Sequence, residues 1–258
     1  MIHRFCHYEP SNWPSVARAR VNAAAVDDWS CEFYAPVVHR SQTTSNENRG
    51  LRYSLKVHCS SPPRARALVQ IVDSALADAA RRSGKWLVCR PGCTQCCIGV
   101  FSINQLDAVR LREGLANLAD LAAERADRVR QRAREAVSRL SKEFPGDPAT
   151  GLLDESDEPE QRFTEFANEE PCPALDPATG LCELYEARPM TCRVFGPPVR
   201  SEDGLGVCEL CFLGATDAEI VACEMNPDPD DLESALITEL EKATGARGRT
   251  IVAFCLAS

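Results

Sequence analysis

Histidine is scarce in this sequence, long apolar runs are missing and aromatic residues are few. The 258 residues hold four histidines, His3, His7, His39 and His58, all ahead of residue 60. A metal site in the rest of the chain therefore lacks imidazole, which argues against Cys2His2 fingers and three-histidine catalytic zinc. No apolar stretch approaches the roughly 18 residues that a membrane-spanning helix needs, so no membrane role is expected. The N-terminus, MIHRFCHYEPSNWPSVARAR, has no apolar core before a small-residue cleavage site and does not read as a secretory signal. The chain thus reads as cytoplasmic, a reducing setting in which its 14 cysteines are poor material for a disulfide framework. A glycine-rich G-x-G-x-x-G turn between strand and helix is also missing, and GDPATG has neither its spacing nor its context, so no Rossmann-type cofactor site is visible.

Charge is unevenly spread. The net −9 divides into +8 over residues 1–146 (22 Lys and Arg against 14 Asp and Glu) and −17 over residues 147–258 (7 against 24). An acidic second half repels a phosphate backbone, because nucleic-acid affinity comes largely from Lys and Arg neutralising phosphates. Nucleic acid is not expected as a partner.

Residues 1–62 show no sustained period of 2 or 3.6. They read as a poorly ordered extension, of the kind an over-long start would add. Order begins with RARALVQIVDSALADAARRSG, where Leu68, Ile71, Val72, Ala75, Leu76 and Ala79 share one face and Gly84 is a stop. Further helices are expected over 102–113, from a capping box of Ser102 and Gln105 to Gly114, and over 116–143, whose Arg125, Arg128, Arg130, Arg132 and Arg134 read as a solvated face. FPGDPATGLLDESDEPEQ reads as a polar linker, and PCPALDPATGLCELY as two short strands around an Asp-Pro-Ala-Thr-Gly turn. Thr216 and Glu219 open a short helix, Pro229 lies in the first turn of a helix over 229–244, and the final TIVAFCLA reads as a strand.

The strongest chemical signal is a constellation of nine cysteines: Cys89, Cys93, Cys96, Cys97, Cys172, Cys182, Cys192, Cys208 and Cys211. Cys93 and Cys96, like Cys208 and Cys211, have the two-residue gap that lets two sulfurs reach one metal from a tight turn. Cys89 joins through a turn made by Pro91 and Gly92, and the DPATG turn brings Cys172 and Cys182 together. Consecutive side chains leave the backbone in different directions, so Cys96 and Cys97 argue for two neighbouring sites, or for a polynuclear cluster with a separate site. A sulfur-only donor set selects zinc, Cu(I) or iron–sulfur clusters, and Arg90, Arg188 and Arg193 stand beside ligand cysteines to offset the negative charge. Scattered core cysteines would not produce C-x3-C-x2-C-C, and disulfides are the alternative that an oxidising compartment would leave. Cys6, Cys31, Cys59, Cys223 and Cys255 have no partner at metal spacing.

On CRPGCTQCCIGVFSINQLDAV and PCPALDPATGLCELYEARPMTCRVF the chain resembles the bacterial cysteine-cluster proteins of the YkgJ type, described as zinc- or iron-chelating domains; flagellin lysine N-methylases look related to the same group. The resemblance spans roughly residues 85–212. It implies Cys89, Cys93, Cys96, Cys97, Cys172, Cys182 and Cys192 as ligands, with Cys208 or Cys211 completing an even number. The family opening is Cys-x2-Cys-x2-Cys-Cys, whereas here three residues separate Cys89 from Cys93. The non-cysteine residues have physical roles of their own: Pro189 is expected to stiffen the turn into Cys192, Tyr185 to pack beside the cluster, and Arg188 to donate to a cluster sulfur or a backbone carbonyl.

The expected fold is mainly α, with an irregular cysteine-rich metal-binding core and one or two short β-hairpins. A metal domain over 63–225 with a variable helical insert at about 115–160 would carry a C-terminal helix and strand over 226–258. Two functions fit. One is a protein holding iron–sulfur cluster(s), such as 4Fe–4S, or zinc through thiolates alone. The other, implied by the resemblance, is an iron–sulfur-dependent protein lysine N-methyltransferase using S-adenosylmethionine on a protein substrate. The oligomeric state has no signature in the sequence.

Overall fold

In the computed structural model, residues 2–3, 30–34, 56–154, 166–201 and 204–257 are described. The expected N-terminal extension lies mostly outside them; within it Ile2–His3 (β1), Ser30–Tyr34 (β2) and Lys56–Ser60 (β3) are strands, β2 and β3 pairing antiparallel. The chain is mainly helical with a few short hairpins and a cysteine-rich centre, as the pattern of the sequence predicts.

Helix α1 (Pro63–Ser83) starts with proline at its first position, where no amide hydrogen is needed. Its buried Ala65, Leu68, Val72, Leu76 and Ala79 pack on Leu106, Met190, Met225, Leu236 and Leu240. Burial of each such Leu contributes roughly 2 kcal/mol.

The next helices differ from expectation. Ser102 is not a cap: Ser102–Ile103 (β4) pairs with Thr250–Ile251 (β11), and α2 (Gln105–Leu121) is capped by Asn104, whose side chain accepts from the Asp107 amide at 2.9 Å. Gly114 does not end α2. It is the point where the Tyr185–Ala187 turn presses on the helix, so close that a Cβ there would lie 2.2 Å from the Ala187 Cβ. The break comes at Ala122 (φ −157°, ψ 73°), before α3 (Ala123–Leu140). Folding back there lets Ala126, Val129 and Ala133 join Leu111 and Leu115 in one core; a straight continuation would carry the stripe past it.

The expected linker after α3 is in part a hairpin, Gly146–Asp147 (β5) with Leu152–Leu153 (β6), and it mirrors the second hairpin, Leu175–Asp176 (β7) with Leu181–Cys182 (β8). Both turns read DPATG and bond alike. The Asp147 and Asp176 carboxylates accept from the amides of Ala149 and Ala178 at 2.9 and 3.1 Å and from the hydroxyls of Thr150 and Thr179.

Met190–Val194 (α4) and the Val199–Ser201/Gly204–Gly206 hairpin (β9, β10) follow, β10 pairing parallel with β1. Thr216 and Glu219 form the expected capping box on α5 (Asp217–Val221). Helix α6 (Leu232–Thr244) begins three residues later than expected, because the Asp228 carboxylate accepts from the Leu232 and Glu233 amides. The C-terminal run is strand only at β11 and then turns into helix α7 (Val252–Ala257), which lies along α3. Packing decides this: Val252, Cys255 and Leu256 enter the α2–α3 core on one helical face.

Gly114→Ala is expected to destabilise the protein by about 1–3 kcal/mol, the cost of overpacking a tight contact. Urea denaturation measures it; an unchanged midpoint would mean that α2 and the Tyr185–Ala187 turn can separate freely.

Candidate metal centre

Each sulfur is placed by a short, closed piece of backbone. The Cys93 amide donates to the Arg90 carbonyl at 3.0 Å across Pro91 and Gly92 (φ 87°), a type II turn that only glycine completes without strain. A 3-10 turn, Gln95–Cys97, follows. The amide of Cys172 donates to the Cys97 carbonyl at 2.8 Å, tying the second cysteine stretch to the first. Hairpin β7–β8 then presents Cys182, the Pro189-capped α4 presents Cys192, and a tight turn with the Cys211 amide on the Cys208 carbonyl (3.0 Å) presents the last pair.

The arginines of α3 do more than face solvent. Arg132 donates to the Pro173 carbonyl at 2.9 Å and pairs with Glu183, which also holds Arg125, while Arg139 pairs with Glu170. These contacts clamp the segment carrying Cys172 and Cys182 onto α3. Arg193 is 1% exposed; it donates to both Asp73 carboxylate oxygens at 2.7 Å and to the Arg188 and Glu186 carbonyls. Its donors brace the fold and are not aimed at sulfur. Arg188 stacks on Tyr185, 3.8 Å from the ring centre, donates to the Tyr185 carbonyl at 3.0 Å and lines the cysteine cavity. Asp73, the carboxylate behind both arginines, has no signature in the sequence.

The sulfurs fall into two groups. Cys89, Cys208 and Cys211 are fully buried, with all three Sγ atoms within 4.8 Å of one another and Cys89 and Cys211 3.3 Å apart. Cys89, four positions ahead of Cys93, thus packs against the C-terminal pair. Cys93, Cys96, Cys97, Cys172, Cys182 and Cys192 instead line a cavity of about 270 Å³, with Phe101, Tyr185 and Phe195 among its walls. The consecutive sulfurs of Cys96 and Cys97 do not diverge as expected. The 3-10 turn brings the Cys96 and Cys97 sulfurs to 3.6 Å, near the roughly 3.8 Å that tetrahedral coordination with zinc–sulfur bonds of about 2.3 Å sets. Cys255 is a core thiol that donates to the Ala108 carbonyl.

Burial pushes the Cys172 and Cys192 thiols up, each helped by neighbouring sulfurs, and lifts Cys182 to about 11. Cys97 is lowered by its hydrogen bond with Cys96. Buried thiols that raise one another across a shared cavity make a costly place for uncompensated thiolates and a suitable one for a soft cation.

Residues 88–211 match the CxxCxxCC family, described as a putative zinc- or iron-chelating domain. That match and the sulfur cluster together support metal binding. The CxxCxxCC segment is just under half of the chain and holds all nine clustered cysteines. No curated protein and no solved structure matches the chain. Among the described residues no helix is long and apolar enough to cross a membrane.

The raised thiols set a pH dependence. A thiol whose folded value lies above its unfolded value stabilises the fold fully below the unfolded value, and the contribution is lost as pH rises through the folded one. With Cys182 at about 11 against an ordinary 9.0, the metal-free protein is expected to lose thermal stability between about pH 9 and 11. The metal-loaded protein, its ligand sulfurs already deprotonated, should lose less and keep only the share of the core thiol Cys255, which burial also lifts to about 11. Calorimetry across that range decides; equal losses in both forms would mean that these thiols do not hold the metal.

Proposed function

We propose that the CxxCxxCC segment is a thiolate metal centre of a cytoplasmic protein, and that its cysteine-lined cavity holds an iron–sulfur cluster of the 4Fe–4S type. The observation that carries this is the cavity itself: Cys97, Cys172, Cys182 and Cys192 line a space of about 270 Å³, and burial raises the last three thiols. A lone tetrahedral ion draws its sulfurs into contact and needs no such void, whereas a cluster needs room for its own bridging sulfides. Zinc is the alternative occupant. Residues 63–225 would be the unit that the metal holds together, with 226–258 packed on it, since a site assembled only in the folded chain turns binding free energy into folding free energy.

A second reading, protein lysine N-methyltransferase, is favoured by one observation. An open cavity of about 550 Å³ shares the walls Cys182, Leu184 and Tyr185 with the cysteine cavity. That volume lies within the range of small-molecule pockets, roughly 300–1,000 Å³. S-adenosylmethionine bound there would sit beside the metal centre, and the acidic second half of the chain would attract a lysine-bearing protein.

Protein from iron-fed cells, purified without oxygen, is expected to be brown, with iron and acid-labile sulfide, and Cys182→Ser to lower both several-fold. A colourless preparation carrying stoichiometric zinc and no sulfide would overturn the cluster. Saturable heat on titrating S-adenosylmethionine into the loaded protein would support the methyltransferase reading, and its absence would remove it.

A further inference from the structure

Cys89, Cys208 and Cys211 do not line the cysteine cavity. They pack with Leu205, Val207, Phe212 and Ile220, while Cys172 and Cys182 pack against Ile103, Leu111 and Leu184 in a different cluster. We propose that the three form a second, independent metal centre, a closed mononuclear zinc site completed by Cys93; this rests on the thiolate reading above.

Four features carry it. First, the three sulfurs lie within 4.8 Å of one another, close to the spacing of about 3.8 Å for thiolates on one tetrahedral ion. That leaves no room for a bridging sulfide, which selects a single ion over a cluster. Second, the Leu210 amide donates to the Cys208 sulfur at 3.3 Å, a contact that favours a thiolate in a pocket without water. Third, two tight turns supply the donors, Cys208–Cys211 and the type II turn ending at Cys93, with gaps of two and three residues that suit a structural zinc site. Cys93 and Cys96 both pack against the cluster of buried residues that holds the trio and both border the cavity; the Cys96 sulfur is paired with that of Cys97 at 3.6 Å, which assigns Cys93 as the fourth donor. Fourth, the turn is held in place. Phe212 adopts φ 56°, a costly conformation for a side chain of its size, and its amide donates to the Trp86 carbonyl at 2.9 Å, just upstream of Cys89.

Nine cysteines thus divide into four for zinc and five around the cavity, and the peptide between Cys93 and Cys96 is the partition. Each thiol gives up its proton as the ion binds, with no change of oxidation state.

The test uses the full chain from cells supplied with both iron and zinc, purified without oxygen and then exposed to air. About one zinc per chain, a number set by one closed four-sulfur site, is expected to remain after the brown colour has bleached. Cys208→Ser and Cys211→Ser should lower zinc at least fivefold and keep iron and sulfide; Cys172→Ser and Cys192→Ser should do the reverse. Zinc-edge X-ray absorption of the unaltered protein reads the site without a variant, and sulfur-only ligation at about 2.3 Å with no iron neighbour supports the proposal. Iron and sulfide with no zinc in the unaltered protein would overturn the second centre and leave the first standing. Neither metal in the unaltered protein would sink the thiolate reading itself.

Discussion

The arrangement hangs on one buried guanidinium. Arg193 joins α1, through Asp73, to the carbonyls of Glu186 and Arg188 and to its own helix α4. Those are the pieces that carry Cys192 and close the cavity over Cys97, Cys172 and Cys182. A lysine could not replace it, because a single ammonium cannot serve a carboxylate and two separate carbonyls in a fixed fork. Asp107 does related work from α2, accepting from the Met190 amide at 3.0 Å and pairing with Arg110. Polar groups at the centre, not apolar burial alone, position the sulfurs.

A chain of this kind has little choice. Among the described residues the strands are two to five residues long, so none of their sheets is large enough to serve as a scaffold. Irregular backbone must instead be held point by point. The Cys172 amide on the Cys97 carbonyl, the α3 arginines on Glu170 and Glu183, and the Phe212 amide on Trp86 are such points. Metal bonds are the natural completion, since each ion replaces several weak contacts with a few strong ones.

Much of this was legible in the sequence where the chemistry is local. The cysteine spacing, the Pro-Gly turn before Cys93, the Thr216–Glu219 capping box and the DPATG hairpin at 176–180 all depend on neighbours within a few residues. The misjudged elements depend on distant ones. Gly114 reads as a stop until Ala187 is seen against it. The break at Ala122 has neither glycine nor proline and follows from the need to return Val129 and Ala133 to the core. TIVAFCLA reads as a strand because its β-branched residues suit one, but three of its side chains enter a helical core. For the site, the sequence nominates the nine cysteines, while their division into a buried trio and a cavity requires three dimensions.

The hairpin tip between Cys172 and Cys182 meets the first cysteine loop. A side chain at Gly180 would lie 3.5 Å from both the Gly92 carbonyl oxygen and the Thr94 methyl. The nine residues separating the two cysteines therefore act as a ruler. A shorter loop would not span from the Cys97 carbonyl to the rim, and a longer one would run into the Pro-Gly turn. The turn of identical sequence after α3 meets the C-terminal helix instead, where a side chain at Gly151 would lie 2.7 Å from the Phe254 Cβ. The same five residues thus pack on the helical core at one site and set the reach of a ligand loop at the other.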